Sequence, residues 1–200
     1  MEDREYGHNP LSVEDGRLGN DMDMAVAFLG PMHGGRPIHL VAIAQGQSPI
    51  AKTFVNDHPQ DLMDWIAKQG GAQRSIYRHV TELRPGVGDH KARKACAARV
   101  VMFHIDVDDP SRAVLEKLVA FEPRPTAIIF SGGGFQAFWL LDNPMENCAK
   151  AEAIDKGPAA RLGGDNRHNV DRIMRVPGTI NWPNAKKPEA GRKPVLANVV

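Results

Sequence analysis

At 200 residues the chain is long enough for one well-buried core with room for a small appended lobe, and its 42% hydrophobic, 24% charged composition is ordinary for a soluble globular protein. A formal net charge of +1 supplies no bulk basic field, so any contact with nucleic acid has to rest on a local basic patch. Cys96 and Cys148 lie far apart in neither a CxxC nor a Cys/His spacing, which speaks against a structural zinc and against a disulfide scaffold. No apolar run approaches the length of a membrane span, and the opening MEDREYGHNP is polar and acidic, unlike a secretory signal, so a cytoplasmic location is expected.

Residues 1–20 read as a loose polar arm. From Asp21, DMDMAVAFLG predicts a short helix that begins on acidic residues and stops at Gly30-Pro31. PIHLVAIA (37–44) is β-branched and apolar, hence a strand. HPQDLMDWIAKQGG puts Leu62, Trp65 and Ile66 on one helical face and ends at Gly70-Gly71. SIYRHVTEL (75–83) alternates as a strand, and RPGVGDHKARKACAA then breaks the pattern before a cationic cluster. RVVMFHIDVD (99–108) is a strand, followed by the helix SRAVLEKLVAF (111–121) with Val114, Leu115, Leu118 and Val119 inward. TAIIF (126–130), the turn SGGG and the apolar run FQAFWLL (135–141) suggest a hairpin. MENCAKAEAIDKGPAARLGG reads as one helix or two short ones, and NVDRIMRVPGT alternates until Pro177-Gly178. The order implies an α+β domain rather than a doubly wound parallel sheet. The chain closes on the apolar, strand-like Lys193-Pro194-Val195-Leu196, as a fragment of something longer would.

Four constellations carry chemistry. In an extended strand, residues two apart share a face, so Asp106 and Asp108 point the same way with Cα atoms about 6.6 Å apart. Paired carboxylates there suit a hard divalent cation such as Mg²⁺. Asp109 faces the other way and reads as a cap of the following turn or helix, and His104, one pleat deeper than Asp106, reads as packing. The bland alternative makes all three aspartates solvated turn and capping residues. The strand-end turn Ser131-Gly132-Gly133-Gly134 exposes backbone N–H groups to an anion, although no GK[ST] continuation makes it a Walker loop. Ser131 and Gln136 are its nearest polar side chains, and a plain hairpin turn is the alternative. Phe135, Phe138 and Trp139 read as core more than as a stacking platform for bases. In GGDNRHNVDRIMRVPGTINWPN, Asp165 and Asp171 add carboxylates and Arg172 and Arg175 add fixed cations. Strand alternation there places Asp171 with Ile173 and Arg175, and Arg172 opposite, where it reads equally as half of a surface Arg–Asp pair. An Arg close to metal-binding carboxylates suits a triphosphate. Lys91, Arg93, Lys94 and Arg99 gather just ahead of the acidic strand, as a solvated face or as a contact to phosphate.

The succession of these pieces, Ile105 to Asp108, then the Ser-Gly-Gly-Gly turn, then Val170-Asp171 joined to RIMRVPGTIN, resembles the archaeo-eukaryotic primase superfamily, and within it the RepB-like branch of plasmids, phages and integrated elements. The resemblance runs from about Ala25 to Asn184 and is most specific in its central and C-terminal parts. It implies an RRM-like mixed or antiparallel catalytic sheet (about 96–185) packed with an N-terminal α/β unit (about 21–95) in one catalytic domain over 21–200. It further implies that Asp106, Asp108 and Asp171 hold two Mg²⁺ or Mn²⁺ ions, with Asp165 in reserve as third ligand. Ser131, Gly133, Gln136, Arg172, Arg175 and Lys94 then contact the nucleotide. Many relatives carry Ser-x-His in the glycine turn, the histidine touching phosphate; this chain has Gln136 at that place. The implied reaction is primer synthesis on single-stranded DNA from ribo- or deoxynucleoside triphosphates, with a helicase fused or recruited. Two rivals stand beside it. One is a replication initiator that keeps the fold and only binds single-stranded DNA or an origin hairpin. The other is a glycosyltransferase whose DxD holds a metal–sugar nucleotide, which leaves DRIMRVPGTIN without a role.

Overall fold

The computed structural model describes residues 19–55, 59–164, 168–183 and 193–200; most of the expected N-terminal arm and Asp165 lie outside them. Helix α1 (Met22–His33) starts where the Asp21 carboxylate accepts from the Met24 N–H at 2.9 Å. It continues through Pro31, beyond the expected stop, and ends at Gly34 in the left-handed region. Met32 and His33 in the extra turn are buried, and their packing outweighs the hydrogen bond that Pro31 cannot make.

Four strands form the first sheet, in the order β2 (Ile50–Phe54), β1 (Ile38–Ile43), β3 (Ser75–His79) and β8 (Ile173–Arg175), all antiparallel. Helix α2 (Pro59–Gly71) covers it with Leu62, Trp65 and Ile66, the face its periodicity predicts. Strand β2 has no clear signal in the sequence, because it is a sheet edge with only Ala51 and Phe54 buried.

The second sheet runs β11 (Asn198–Val199), β6 (Ala127–Phe130), β7 (Phe135–Met145), β5 (Ala97–Val107) and β4 (Thr81–Leu83), again antiparallel throughout. A two-stranded ribbon, β9 (Ile180–Asn181) with β10 (Val195–Leu196), stands beside it. The single strand expected over 75–83 is therefore two strands in different sheets. The chain crosses at Val80, which is buried and donates its N–H to the Arg172 carbonyl. Alternation alone cannot reveal such a crossing, since both halves keep the same period.

The second sheet is buried on both faces. Met102 lies opposite Leu140, His104 opposite Phe138 and Asp106 opposite Gln136, all on the face turned to the first sheet. Ile105, Val107, Phe135, Ala137 and Trp139 face α3 (Arg112–Val119) and α4 (Cys148–Leu162). Within α3, Val114, Leu115 and Leu118 are buried as expected, but Val119 is 53% exposed, having rotated off the apolar stripe at the end of the helix. Helix α4 is one continuous helix through Gly157-Pro158. It lies along β5 beyond the end of β4, and Asp155 accepts from the His104 N–H at 3.1 Å, so a helix side chain satisfies an amide that no strand reaches. Between the two sheets sits Arg78, fully buried, its guanidinium 5.2 Å from the Phe28 ring centre and 4.6 Å from that of Phe138. No carboxylate pairs with it among the described residues, and burial lowers its pKa to about 9.

Candidate active site at the junction of the sheets

The site begins with the end of β5. Asp106 is its penultimate residue, and Asp108 lies just past the last one, Val107. Both oxygens of the Asp106 carboxylate are engaged. Gln136 Nε2 donates to Oδ1 at 3.2 Å, and Arg172 Nη2 donates to Oδ2 at 2.9 Å. Gln136, only 5% exposed, cannot turn freely, because its own Oε1 accepts from the Arg175 N–H at 2.9 Å. Gln136, on β7, thus ties β5 to β8.

Arg175 extends the network. Its Nη2 donates to the Tyr77 hydroxyl at 2.9 Å and to Asn181 Oδ1 at 2.7 Å, and its guanidinium stacks 4.1 Å from the Tyr77 ring centre. Burial pushes its pKa down, opposed by Tyr77 and by the charge of Asp106. Asn181 in turn donates to the Ser131 carbonyl at 2.6 Å. The segment VPGT makes this possible. Thr179 is fully buried and its hydroxyl donates to the Val176 carbonyl, while Gly178 takes φ 77°, and a Cβ there would run into the Asp21 carbonyl oxygen. The turn brings residues 175 and 181 face to face.

The glycine-rich turn is shaped by packing. Ser131 closes it, its hydroxyl and its N–H both donating to the Gly134 carbonyl. A Cβ on Gly134 would strike the Val107 carbonyl oxygen and come within 2.9 Å of the Asp108 Cα. Gly134 is what lets the start of β7 press against the backbone that carries both aspartates. Gly133 is half-buried in the same turn.

The remaining expected residues are placed differently. Asp108 is exposed and without a hydrogen-bond partner among the described residues. Asp109 accepts from the Ser111 N–H at 2.8 Å, fixing the turn, while Ser111 is itself the N-cap of α3. Strand β8 begins only at Ile173, so Asp171 and Arg172 occupy a turn and the alternation drawn through them does not apply. Hence Arg172 reaches Asp106, whereas Asp171 accepts from the Asn169 side-chain amide. Lys94, in a single 3-10 turn (Lys94–Cys96), holds Glu152 at 2.5 Å. That hydrogen bond raises the Lys94 pKa, with a smaller contribution from the nearby charge of Asp171. Glu152 also accepts from the Val170 N–H, anchoring the segment that carries Asp171. Among the described residues no three His, Cys, Asp or Glu side chains come together as a metal-holding group. The carboxylates nevertheless fit a hard divalent cation in kind: the donor set is all oxygen, and a cation, the Arg172 guanidinium, already rests on Asp106.

Sequence reasoning missed Tyr77 and Asn181. Tyr77 sits in an ordinary alternating strand, and its partner lies 98 residues away. Asn181 is marked only by its place directly after VPGTI.

Residues 55–197 match the family model described as RepB DNA-primase N-terminal domain. No curated protein matches the chain. Among solved structures, the AEP domain of the primase-polymerase of cyanophage S-2L superposes with a TM-score of 0.66 at 15% identity, covering 91% of this chain and 90% of that one. The crystal structure of primase RepB′ gives 0.63 at 11% identity over 90% of this chain and 56% of that chain. The catalytic domain of RepB′, solved in complex with initiator DNA, gives 0.60 at 12% identity over 88% and 84%. No helix among the described residues is long and apolar enough to cross a membrane.

Proposed function

The chain belongs to the RepB DNA-primase N-terminal domain family and has the archaeo-eukaryotic primase fold, and from that premise we propose that it synthesises primers on single-stranded DNA from ribo- or deoxynucleoside triphosphates. The observation that carries the reading is the conjunction at Asp106. A strand-end carboxylate takes the Arg172 guanidinium directly and is tied through Gln136 to the Arg175 backbone N–H, beside a turn that brings backbone close to backbone. Arg172 Nε and Arg175 Nε and Nη1 are buried donors without a partner among the described residues, a set that phosphate oxygens or water can satisfy.

In this reading Asp106 and Asp108, with Asp171 as the third carboxylate, hold divalent ions. Such ions, when bound, activate the attacking 3′-hydroxyl and neutralise the pyrophosphate that leaves. The rest of the work belongs to the chain. Gln136 fixes the rotamer of Asp106. Arg172 and Arg175 supply positive charge for the triphosphate, with Lys94 at the rim. Ser131 and Gly133 shape the wall against which the nucleotide lies. Asp171 holds the Asn169 side-chain amide, a contact its metal-binding role would have to share or give up.

The test is template-dependent incorporation of labelled nucleotide with Mg²⁺ or Mn²⁺. Incorporation lost in Asp106→Ala and Asp108→Ala supports the reading, and incorporation that survives both substitutions sinks it. A second reading, a replication initiator that binds single-stranded DNA without polymerising, is favoured by one observation: the Asp106 charge is already balanced by Arg172. Strand binding with no incorporation under any metal would select it.

A further inference from the structure

The two donors on Asp106 are not equivalent. Gln136 holds Oδ1 from a buried position, with its far end pinned by the Arg175 N–H. Arg172 holds Oδ2 through one nitrogen only, its side chain is 20% exposed, and its Nε has no partner among the described residues. Its backbone, by contrast, is fixed on both sides: the N–H donates to the Asn169 carbonyl and the carbonyl accepts from Val80. An anchored backbone bearing a singly tethered, half-buried guanidinium has the build of an arm with two resting places. The first is occupied here.

Oδ2 is also an oxygen that a divalent cation at Asp106 would take, and two cations cannot share it at contact distance. We propose that Arg172 is the displaceable counter-cation of Asp106: it neutralises the carboxylate in the metal-free protein, competes with the divalent ion for Oδ2, and transfers to the polyphosphate when metal and nucleotide arrive together. This rests on the primase reading and adds to it a coupling between the two ligands. Metal alone must displace a guanidinium that has nowhere better to go. Metal with a triphosphate gives that guanidinium a new anion. By linkage each ligand then raises the affinity for the other by the same factor, and Arg172 is the residue through which the factor acts.

The experiment is Mn²⁺ titration of the full chain followed by electron paramagnetic resonance, without and with a non-hydrolysable nucleoside triphosphate, for wild type, Arg172→Ala, Arg172→Lys and Asp106→Asn. Circular dichroism confirms that each variant is folded. In the absence of nucleotide, Arg172→Ala is expected to bind Mn²⁺ about fivefold or more tightly than wild type, and the gain from adding nucleotide is expected to shrink by a similar factor. Arg172→Lys keeps a cation on the same anchored backbone and stays close to wild type; should Arg172→Ala not fold, the comparison passes to Arg172→Gln. Asp106→Asn loses Mn²⁺ binding, and the free-ion spectrum persists. Mn²⁺ binding that depends on Asp106 but is unchanged or weaker in Arg172→Ala overturns the counter-cation role and leaves the primase reading standing. Mn²⁺ binding indifferent to Asp106→Asn removes the metal site itself, and the inference falls with it.

Discussion

Asp155 offers a prediction whose size can be worked from the structure. Its carboxyl is 3% exposed on α4, with Oδ1 accepting from the His104 N–H at 3.1 Å and Oδ2 lying 3.2 Å from His104 Nδ1. Burial raises its pKa from 3.8 to about 7, the His104 N–H opposing only in part. Because the folded value exceeds the unfolded one, the native state holds a proton that the unfolded state has released. The associated stability is full below the unfolded pKa and is lost as pH rises through about 7. Between pH 5 and 8 the loss comes to about 2–3 kcal/mol. His33 and His79 act with the opposite sign: burial lowers each to about 3, so both destabilise the fold as pH falls below 6.5. Asp155→Asn keeps an acceptor for the His104 amide, removes the titration and leaves both histidines unchanged. The difference between variant and wild type therefore cancels His33 and His79 and reports on Asp155 together with the His104 ring it touches. Urea unfolding at pH 5, 6, 7 and 8 should show the variant gaining about 2–3 kcal/mol on wild type across the range. Parallel stability curves would refute the reasoning.

Gly134→Ala should lower stability by about 4 kcal/mol or more, or prevent folding, since the new methyl meets the Val107 carbonyl rather than a movable side chain; thermal unfolding decides it. Arg78→Met, which fills the space between Phe28 and Phe138 without a buried charge, should be neutral or stabilising, whereas Arg78→Ala should cost about 2–5 kcal/mol in chemical denaturation. Gln136→Glu keeps the acceptor for the Arg175 N–H but sets a carboxylate 3.2 Å from Asp106, so its stability relative to wild type should fall as pH rises from 5 to 8, by about 1–3 kcal/mol. A flat difference would show that Gln136 does not lock Asp106.

Much of the fold could be read from the sequence where burial is one-sided or continuous. Leu62, Trp65 and Ile66 declare α2, and the run from Val100 to Val107 declares β5. Edges were harder. Strand β2 buries two of its five residues, and β9 and β11 are two residues each, too short for any period to show, whereas the apolar Val195-Leu196 of β10 reads as strand-like. The site divides in the same way. Asp106, Gln136, Arg172 and Arg175 were singled out by local order, and the structure brings these four together. Their mutual roles were not legible, because Arg172 meets Asp106 across 66 residues and sits in a turn whose geometry is set by Asn169 and Val80. Lys94 turned instead to Glu152, a residue that carries no local mark of function on its helix.

The short strand β8 has a consequence for how the molecule comes into being. Its residues complete the first sheet, yet Arg172 just before it reaches Asp106, and the Arg175 N–H at its end donates to Gln136, both on the second. Nearby, Ile180 donates to Asn20 across 160 residues and Trp182 pairs with Ser75 across 107. The β6–β7–β5 hairpins can form from neighbours in the chain, but these ties require loops of that length to close first. The network around Asp106 should therefore be among the last parts to acquire its native shape during refolding. A nascent chain that has emerged only as far as α4 would carry Asp106 without the Arg172 guanidinium that balances it.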